Sequence, residues 1–332
     1  MGPRRFAVVC FVVFGFFAAA PATRAWGCEG HQIVARIAEN HLNPHAAKMS
    51  RQILAESPID PALSRYCKQP GLDAFIDSST WADDIRSSRP DTGNWHFIDI
   101  PRGVSHGNWR TYCPPATSCV VAALAAQVQI LRDPTAAAAA RADALRFIIH
   151  FVGDIHQPLH DTTNNDMGGN CIPVSFFGQA PMETNLERES YSPNLHGVWD
   201  TGLIAHFAPP QDAPAPTPQQ VADELAEADK IDGAYRAQMP SWQVHPTDFA
   251  AWAWEGHALA EKYAYGRLPN KVAIEKPQPI ESCADDDHVS MRLLRLDEQL
   301  GDLYENATAP VVRQQLATAG ARLAALLNSI WP

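Results

Sequence analysis

A chain of 332 residues that is 46% hydrophobic and 19% charged has the composition of a globular protein, with length enough to bury a substantial core. A formal net charge of −11 excludes a plain electrostatic grip on nucleic acid, which rests on neutralising phosphates with Lys and Arg. If such a chain handles phosphodiesters, bound cations must reverse the sign locally.

The N-terminus has the order of a secretory signal peptide. Arg4 and Arg5 precede the apolar run 6–20, and the small residues Thr23 and Ala25 follow it. The apolar run is too short for a comfortable membrane span, so cleavage is expected after Ala25 and the mature chain begins at Trp26. Six cysteines then remain: Cys28, Cys67, Cys113, Cys119, Cys171 and Cys283. An even number in an exported chain favours disulfides, and no C-x₂-C pair supports thiolate zinc ligation. Cys113 and Cys119, which bracket Pro-Pro-Ala-Thr-Ser, form the expected local pair; the other pairings stay open. The expected location is secreted or periplasmic, with no stable membrane association after cleavage.

From Trp26 onward the pattern is helical. A short amphipathic helix is expected over 32–40 and a second over 44–56, followed by a connection over 67–75. Pro90-Asp-Thr-Gly reads as a turn, and residues 94–100, aromatic and β-branched, read as extended or irregular. Residues 118–131 and 135–153 are the clearest helices, the second containing the Ala136–Ala140 run. Residues 161–178 read as loop, 194–200 as helix, and 208–218 as a Pro-rich connector. Further helices are expected over 221–228, 248–264, 287–303 and 311–327, with Lys276-Pro-Gln-Pro as another connector. No repeat and no strand alternation is visible. The fold class is all-α: one mostly helical domain, 26–332, with long loops.

Two of these helices carry the same device. His150 and Asp154, and again His196 and Asp200, are spaced i, i+4, which sets both side chains on one helix face. Pro158 ends the first helix and frees His160 from its register. His31, Asp83 and His96 lie elsewhere in the chain. A mixed imidazole and carboxylate set of this kind suits a divalent metal, zinc in particular. His156, off the face of His150 and Asp154, reads as structural.

The motifs Trp26-Gly-x-x-Gly-His31, Trp81-Ala-Asp83-x-x-Arg86, Trp95-His96-Phe97-x-Asp99, His150-Phe-x-Gly-Asp154-x-x-Gln-Pro-Leu-His160, Gly168-Gly-Asn170 and Asn194-Leu-His196-x-x-Trp199-Asp200-Thr occur in this order. Together they resemble the S1/P1 nucleases, whose fold is shared with bacterial zinc-dependent phospholipases C. The resemblance extends to the end of the chain through Ala-Gly-x-Arg-Leu-Ala-x-Leu-Leu-Asn at 319–328.

The resemblance implies a three-zinc nuclease. It assigns Asp83, His96 and His150 to one ion, and Trp26 and His31 to a second, with Asp154 bridging the two. His160, His196 and Asp200 are assigned to a third. Trp26 would act through its α-amino nitrogen and carbonyl oxygen, so the site would be complete only after the leader is removed. Three zinc ions against three ligand carboxylates would leave the site positive inside an acidic chain, which answers the charge problem. The implied substrates are single-stranded DNA and RNA, cut by a metal-activated water to 5′-phosphorylated products, and 3′-nucleotides, which would be dephosphorylated. Asp83 would orient the nucleophile and Arg86 contact a phosphate oxygen. Phe97 and Asp99 would stack on and hydrogen-bond the base beside the scissile phosphate, and Tyr191 would meet a second base. The loop 161–167 is one residue longer than in the family pattern, which leaves Met167 without a firm place in the pocket. The working unit is expected to be a monomer. The alternatives are a phospholipase C of the same fold and a non-catalytic zinc-binding protein.

Overall fold

Short polar caps set several of the helix starts. Asn43 accepts from the Ala46 amide with Pro44 in the first turn, and Thr217 and Gln220 form a capping box ahead of Pro218. Asp248 caps the helix after it through the Ala251 amide. Each such cap satisfies an otherwise unpaired N–H, worth about 1 kcal/mol.

The computed structural model describes residues 26–65, 67, 73–208, 217–285 and 299–332. Among them the long helices are α1 (Cys28–Asn40), α2 (Pro44–Glu56), α3 (Val120–Arg132), α4 (Ala138–Asp154), α5 (Pro218–Tyr235), α6 (Phe249–Leu259) and α7 (Asp302–Ile330). Helix α4 is buried on every face from Ala144 to Asp154, which makes it the centre of the core. It packs on α3, with α2 and α7 alongside, and α1 lies against α7. Gly320 lets those last two approach closely, since a Cβ there would stand 2.5 Å from Ile37 Cγ2.

Strand content is slight. Strand β1 (Ser175–Phe176) pairs in parallel with β4 (Gln299–Leu300), and β2 (Met182–Asn185) pairs antiparallel with β3 (Ser190–Ser192). The molecule is therefore mostly helical with long loops, as the sequence implies. No helix among the described residues is long and apolar enough to cross a membrane.

Several boundaries differ from expectation. Residues 90–96 form a 3₁₀-helix, Pro90–His96, and only from Phe97 is the backbone extended. The first-turn proline and the Thr92 hydroxyl, which donates to the Arg89 carbonyl, favour the tight helix over the strand that aromatic content alone would suggest. The helix expected over 287–303 lies largely outside the described residues, at 287–298. Its described end is strand β4 and the first turn of α7, separated by an extended Gly301 (φ −126°, ψ −151°). Residues 1–25, where a leader is expected, and most of the Pro-rich connector, 209–216, also lie outside the described residues.

All six cysteines from Cys28 onward are paired: Cys113–Cys119, as expected, with Cys28–Cys67 and Cys171–Cys283. Three disulfides suit an oxidising, extracytoplasmic compartment.

Candidate metal centre

The C-terminal turn of α4 brings His150 and Asp154 to one buried spot, and three other segments deliver partners to it. Helix α1 supplies His31, the turn Trp81–Asp84 supplies Asp83, and the 3₁₀-helix Pro90–His96 supplies His96. Asp154 is the hub. Its Oδ2 lies 2.9 Å from His96 Nδ1 and 3.2 Å from His150 Nε2, while Oδ1 lies 3.4 Å from His31 Nε2. Asp83 Oδ1 stands 3.8 Å from His96 Nδ1 and 4.0 Å from His150 Nε2. The His31 ring stacks on that of His150 at 4.0 Å between centroids. Gly153 makes room for it, because a Cβ there would meet His31 Nδ1 at 2.7 Å.

The continuation past Pro158 supplies a second cluster. His160 Nε2 and His196 Nε2 are 3.2 Å apart, and His196 Nε2 is 3.2 Å from Asp200 Oδ2. Here the helix changes character: the α-turn Leu195–Gly197 runs into a π-helical turn, Val198–Gly202, a local irregularity common at functional sites. The two clusters are mechanically joined, since His160 Nδ1 donates to the carbonyl of His96 at 2.8 Å.

The tautomers argue for a cation. His150 Nδ1 donates to the Ser79 carbonyl (2.6 Å), His160 Nδ1 to that of His96, and His196 Nδ1 to that of Gly168 (2.7 Å). In each neutral ring this leaves the Nε2 lone pair turned inward toward other acceptors. Backbone carbonyls behind imidazoles are the usual orienting contacts of metal-ligating histidines. Both ring nitrogens of His31, Asp83 Oδ1 and Asp154 Oδ1 are buried without a hydrogen-bond partner. Unsatisfied buried groups of this kind are costly in a protein interior, and a divalent ion among them would remove the cost. Three sets of ligand atoms could hold an ion: His31, Asp83 and His150; His96, His150 and Asp154; and His160, His196 and Asp200. Within each set the atoms lie within 4.8 Å of one another.

Protonation follows the same geometry. Burial would lower the His150 pKa, but Asp154 and Asp83 outweigh it and carry it up to about 9. Burial raises a carboxylate, yet His150, followed by His31 and His96, holds Asp154 well below the usual range. In the second cluster burial pushes His160 down to about 3.

Trp26 is fully buried, and its indole donates to the Gly153 carbonyl at 2.9 Å. The next amide, of Gly27, donates to the Asp200 carbonyl at 2.8 Å, so the start of α1 is pinned between the two clusters' own segments. His156 is structural: it is buried, with Nδ1 donating to the Val152 carbonyl and Nε2 accepting from Arg322 at 3.0 Å.

The clusters open onto a cleft of about 700 Å³ lined by Arg86, His96, Phe97, Asp99, His160 and His196, among others. Arg86 lies 3.5 Å from Asp83, at the edge of the first cluster. Asp99 is exposed in the cleft wall, with its carboxyl raised by the surrounding protein and then by Asp166. Tyr191 does not line this cleft; it packs beside the Cys171–Cys283 disulfide with Met167 and Ile280. Met167 does line it. A further stretch of the lining, Pro277 to Glu281, is not legible in the sequence as part of the site. A Pro-rich segment without periodicity reads as a connector, and the only hint was the isolated Cys283 beside it.

The two linked, buried histidine–aspartate clusters lie under an open cleft in a mostly helical chain and could hold metal ions there. The chain belongs to the S1/P1 nuclease family, whose model matches residues 26–332. It is 29% identical to Endonuclease 2 of Arabidopsis thaliana over 98% of this chain and 97% of that protein. It is 27% identical to Nuclease S1 of Aspergillus oryzae over 94% of each. It is 33% identical to Nuclease P1 of Penicillium citrinum over 53% of this chain and 57% of that one. It is accordingly a phosphodiester-cleaving hydrolase.

Proposed function

We propose that this protein is an exported zinc-dependent endonuclease that cleaves single-stranded DNA and RNA to 5′-phosphorylated products and removes 3′-phosphates from nucleotides. The observation that carries this reading is the convergence of inward-facing imidazole and carboxylate atoms beneath a cleft bearing Arg86, Phe97 and Asp99.

The donor set is nitrogen and oxygen only, which fits zinc. Asp83, His96 and His150 would hold one ion, His31 with the Trp26 backbone a second, Asp154 both, and His160, His196 and Asp200 a third. Bound zinc supplies Lewis acidity and water of lowered pKa near neutral pH. The chain's own groups do the positioning. Burial pushes the Asp83 carboxyl up, but His150, His96 and Arg86 hold it below its ordinary value, so it stays an acceptor able to orient the attacking water. Arg86, partly exposed beside it, can turn its guanidinium to a phosphate oxygen. Phe97 offers a face for one base and Asp99 an acceptor for its edge, which favours strands whose bases are unpaired. Tyr191, beside the Cys171–Cys283 disulfide, is the candidate for a second base. The protein works as a monomer.

The test is a substrate panel on mature protein beginning at Trp26. Release of 5′-mononucleotides from single-stranded DNA and RNA is expected. Release of phosphocholine from phosphatidylcholine with no nucleotide release would overturn the reading.

A further inference from the structure

The part of the cleft lining that lies outside the recognised motifs is built with more care than a connector needs. Residues 272–283 have no regular secondary structure until Cys283, yet they are pinned along their length. The Arg102 guanidinium donates to the Val272 carbonyl at 3.1 Å. Asn164, buried, makes a two-point bond to the backbone: its amide donates to the Ala273 carbonyl (2.9 Å) and accepts from the Glu275 amide (3.0 Å). Asn165, also buried, repeats the device one step on, donating to the Lys276 carbonyl (2.8 Å) and accepting from the Gln278 amide (2.9 Å). Two consecutive side-chain amides thus replace a neighbouring strand. Asn165 holds φ +57°, a left-handed conformation that Asn tolerates better than most residues. Beyond the segment, Cys283 is tied to Cys171.

What this strap presents to the cleft is chemically coherent. Pro277, Pro279 and Ile280 offer flat or apolar surface, and Gln278 offers an exposed amide with both donor and acceptor. Glu281 gives the strap a negative charge, whereas Arg86 and the metal-binding clusters supply the positive side of the lining's chemistry. A phosphate backbone is repelled by Glu281 and drawn to Arg86 and the metal-binding clusters, so the strap is left for bases.

On the nuclease reading above, we propose that the strap is the second jaw of a slot for one unpaired nucleobase, sharing the cleft with Phe97, and that Gln278 reads the edge of that base. Asn165 is then a positioning residue, holding Gln278 through its backbone. Because the slot takes one isolated base, it selects for single strands on steric grounds.

The experiment compares zinc-loaded wild type, Gln278→Ala and Asn165→Ala on four dinucleotides that differ in the base beside the scissile phosphate, and on an analogue with tetrahydrofuran in place of that base. Metal content is measured in parallel. The expected result for Gln278→Ala is a fall of about five- to tenfold in the ratio of kcat/KM on base-bearing and baseless substrates, the size of one net hydrogen bond. The fall should be unequal among the bases, with metal content as in wild type. Asn165→Ala should raise KM across all four bases with a smaller change in kcat. Gln278 is exposed, so its variant tests the proposal even if Asn165→Ala fails to fold. Unchanged ratios and unchanged base preference in Gln278→Ala would overturn the slot while leaving the nuclease reading intact. Wild type inactive on every dinucleotide would overturn both.

Discussion

Replacing Asp154 by alanine should empty two metal positions with a single substitution. The carboxylate is fully buried at the end of α4, and its oxygens face His96, His150 and His31 at 2.9, 3.2 and 3.4 Å. Its two oxygens face proposed ligands of both ions in the first cluster. Metal content after dialysis should therefore fall from three zinc ions per chain to one, whereas His160→Ala, confined to the other cluster, should retain two. The chelated proteins should differ as well. Without Asp154 the His150 imidazolium loses the nearer of its two buried counter-charges, and breaking such a pair costs about 3–5 kcal/mol. Elemental analysis of the dialysed proteins and urea unfolding of the chelated ones measure the two effects. An Asp154→Ala protein that keeps two or more zinc ions would refute the bridging role.

Other predictions follow from the same geometry. In chelated protein the His150 pKa is about 9 in the fold, since Asp154 and Asp83 outweigh burial, against about 6.5 when unfolded. Its contribution, roughly 3 kcal/mol, is therefore fully present below about pH 6.5 and is lost as pH rises through 9. Unfolding of chelated wild type at about pH 6 and about pH 10 should show this loss, and His150→Gln should not; equal pH slopes would contradict it. Gly153→Ala should cost about 1–3 kcal/mol and weaken the zinc position of His31, because the new Cβ would stand 2.7 Å from His31 Nδ1. Calorimetry with metal analysis checks both. Arg86→Ala should lower kcat about a hundredfold or more on single-stranded DNA without changing metal content. One extra residue before Trp26 should abolish most activity by converting the terminal amine to an amide, and an unaffected extended protein would rule that amine out as a ligand.

How much of this was legible in the sequence depended on whether a helix carried it. His150 with Asp154, and His196 with Asp200, could be paired from spacing alone, because helical register fixes which side chains share a face. His31, Asp83 and His96 come from three separate segments, and only motif resemblance could assign them to the same centre. The strands are two to four residues long, too short for any alternation of side chains to announce them. The strap was invisible for a different reason. Its course is set by the amides of Asn164 and Asn165, more than a hundred positions away, and by the Cys171–Cys283 bridge. Side chain–backbone bonds of that range leave no periodic signature, and a Pro-rich stretch gives no hint of which surface it covers.

The central claim is that the buried histidines and aspartates form a zinc centre that cuts single-stranded nucleic acid. The most direct measurement is zinc stoichiometry and product analysis on the same preparation of mature protein, before and after chelation. The account predicts close to three zinc ions per chain, 5′-mononucleotides from single-stranded DNA and RNA, and loss of both on chelation with recovery on adding zinc back. Undiminished nuclease activity in protein shown to be free of metal would contradict it.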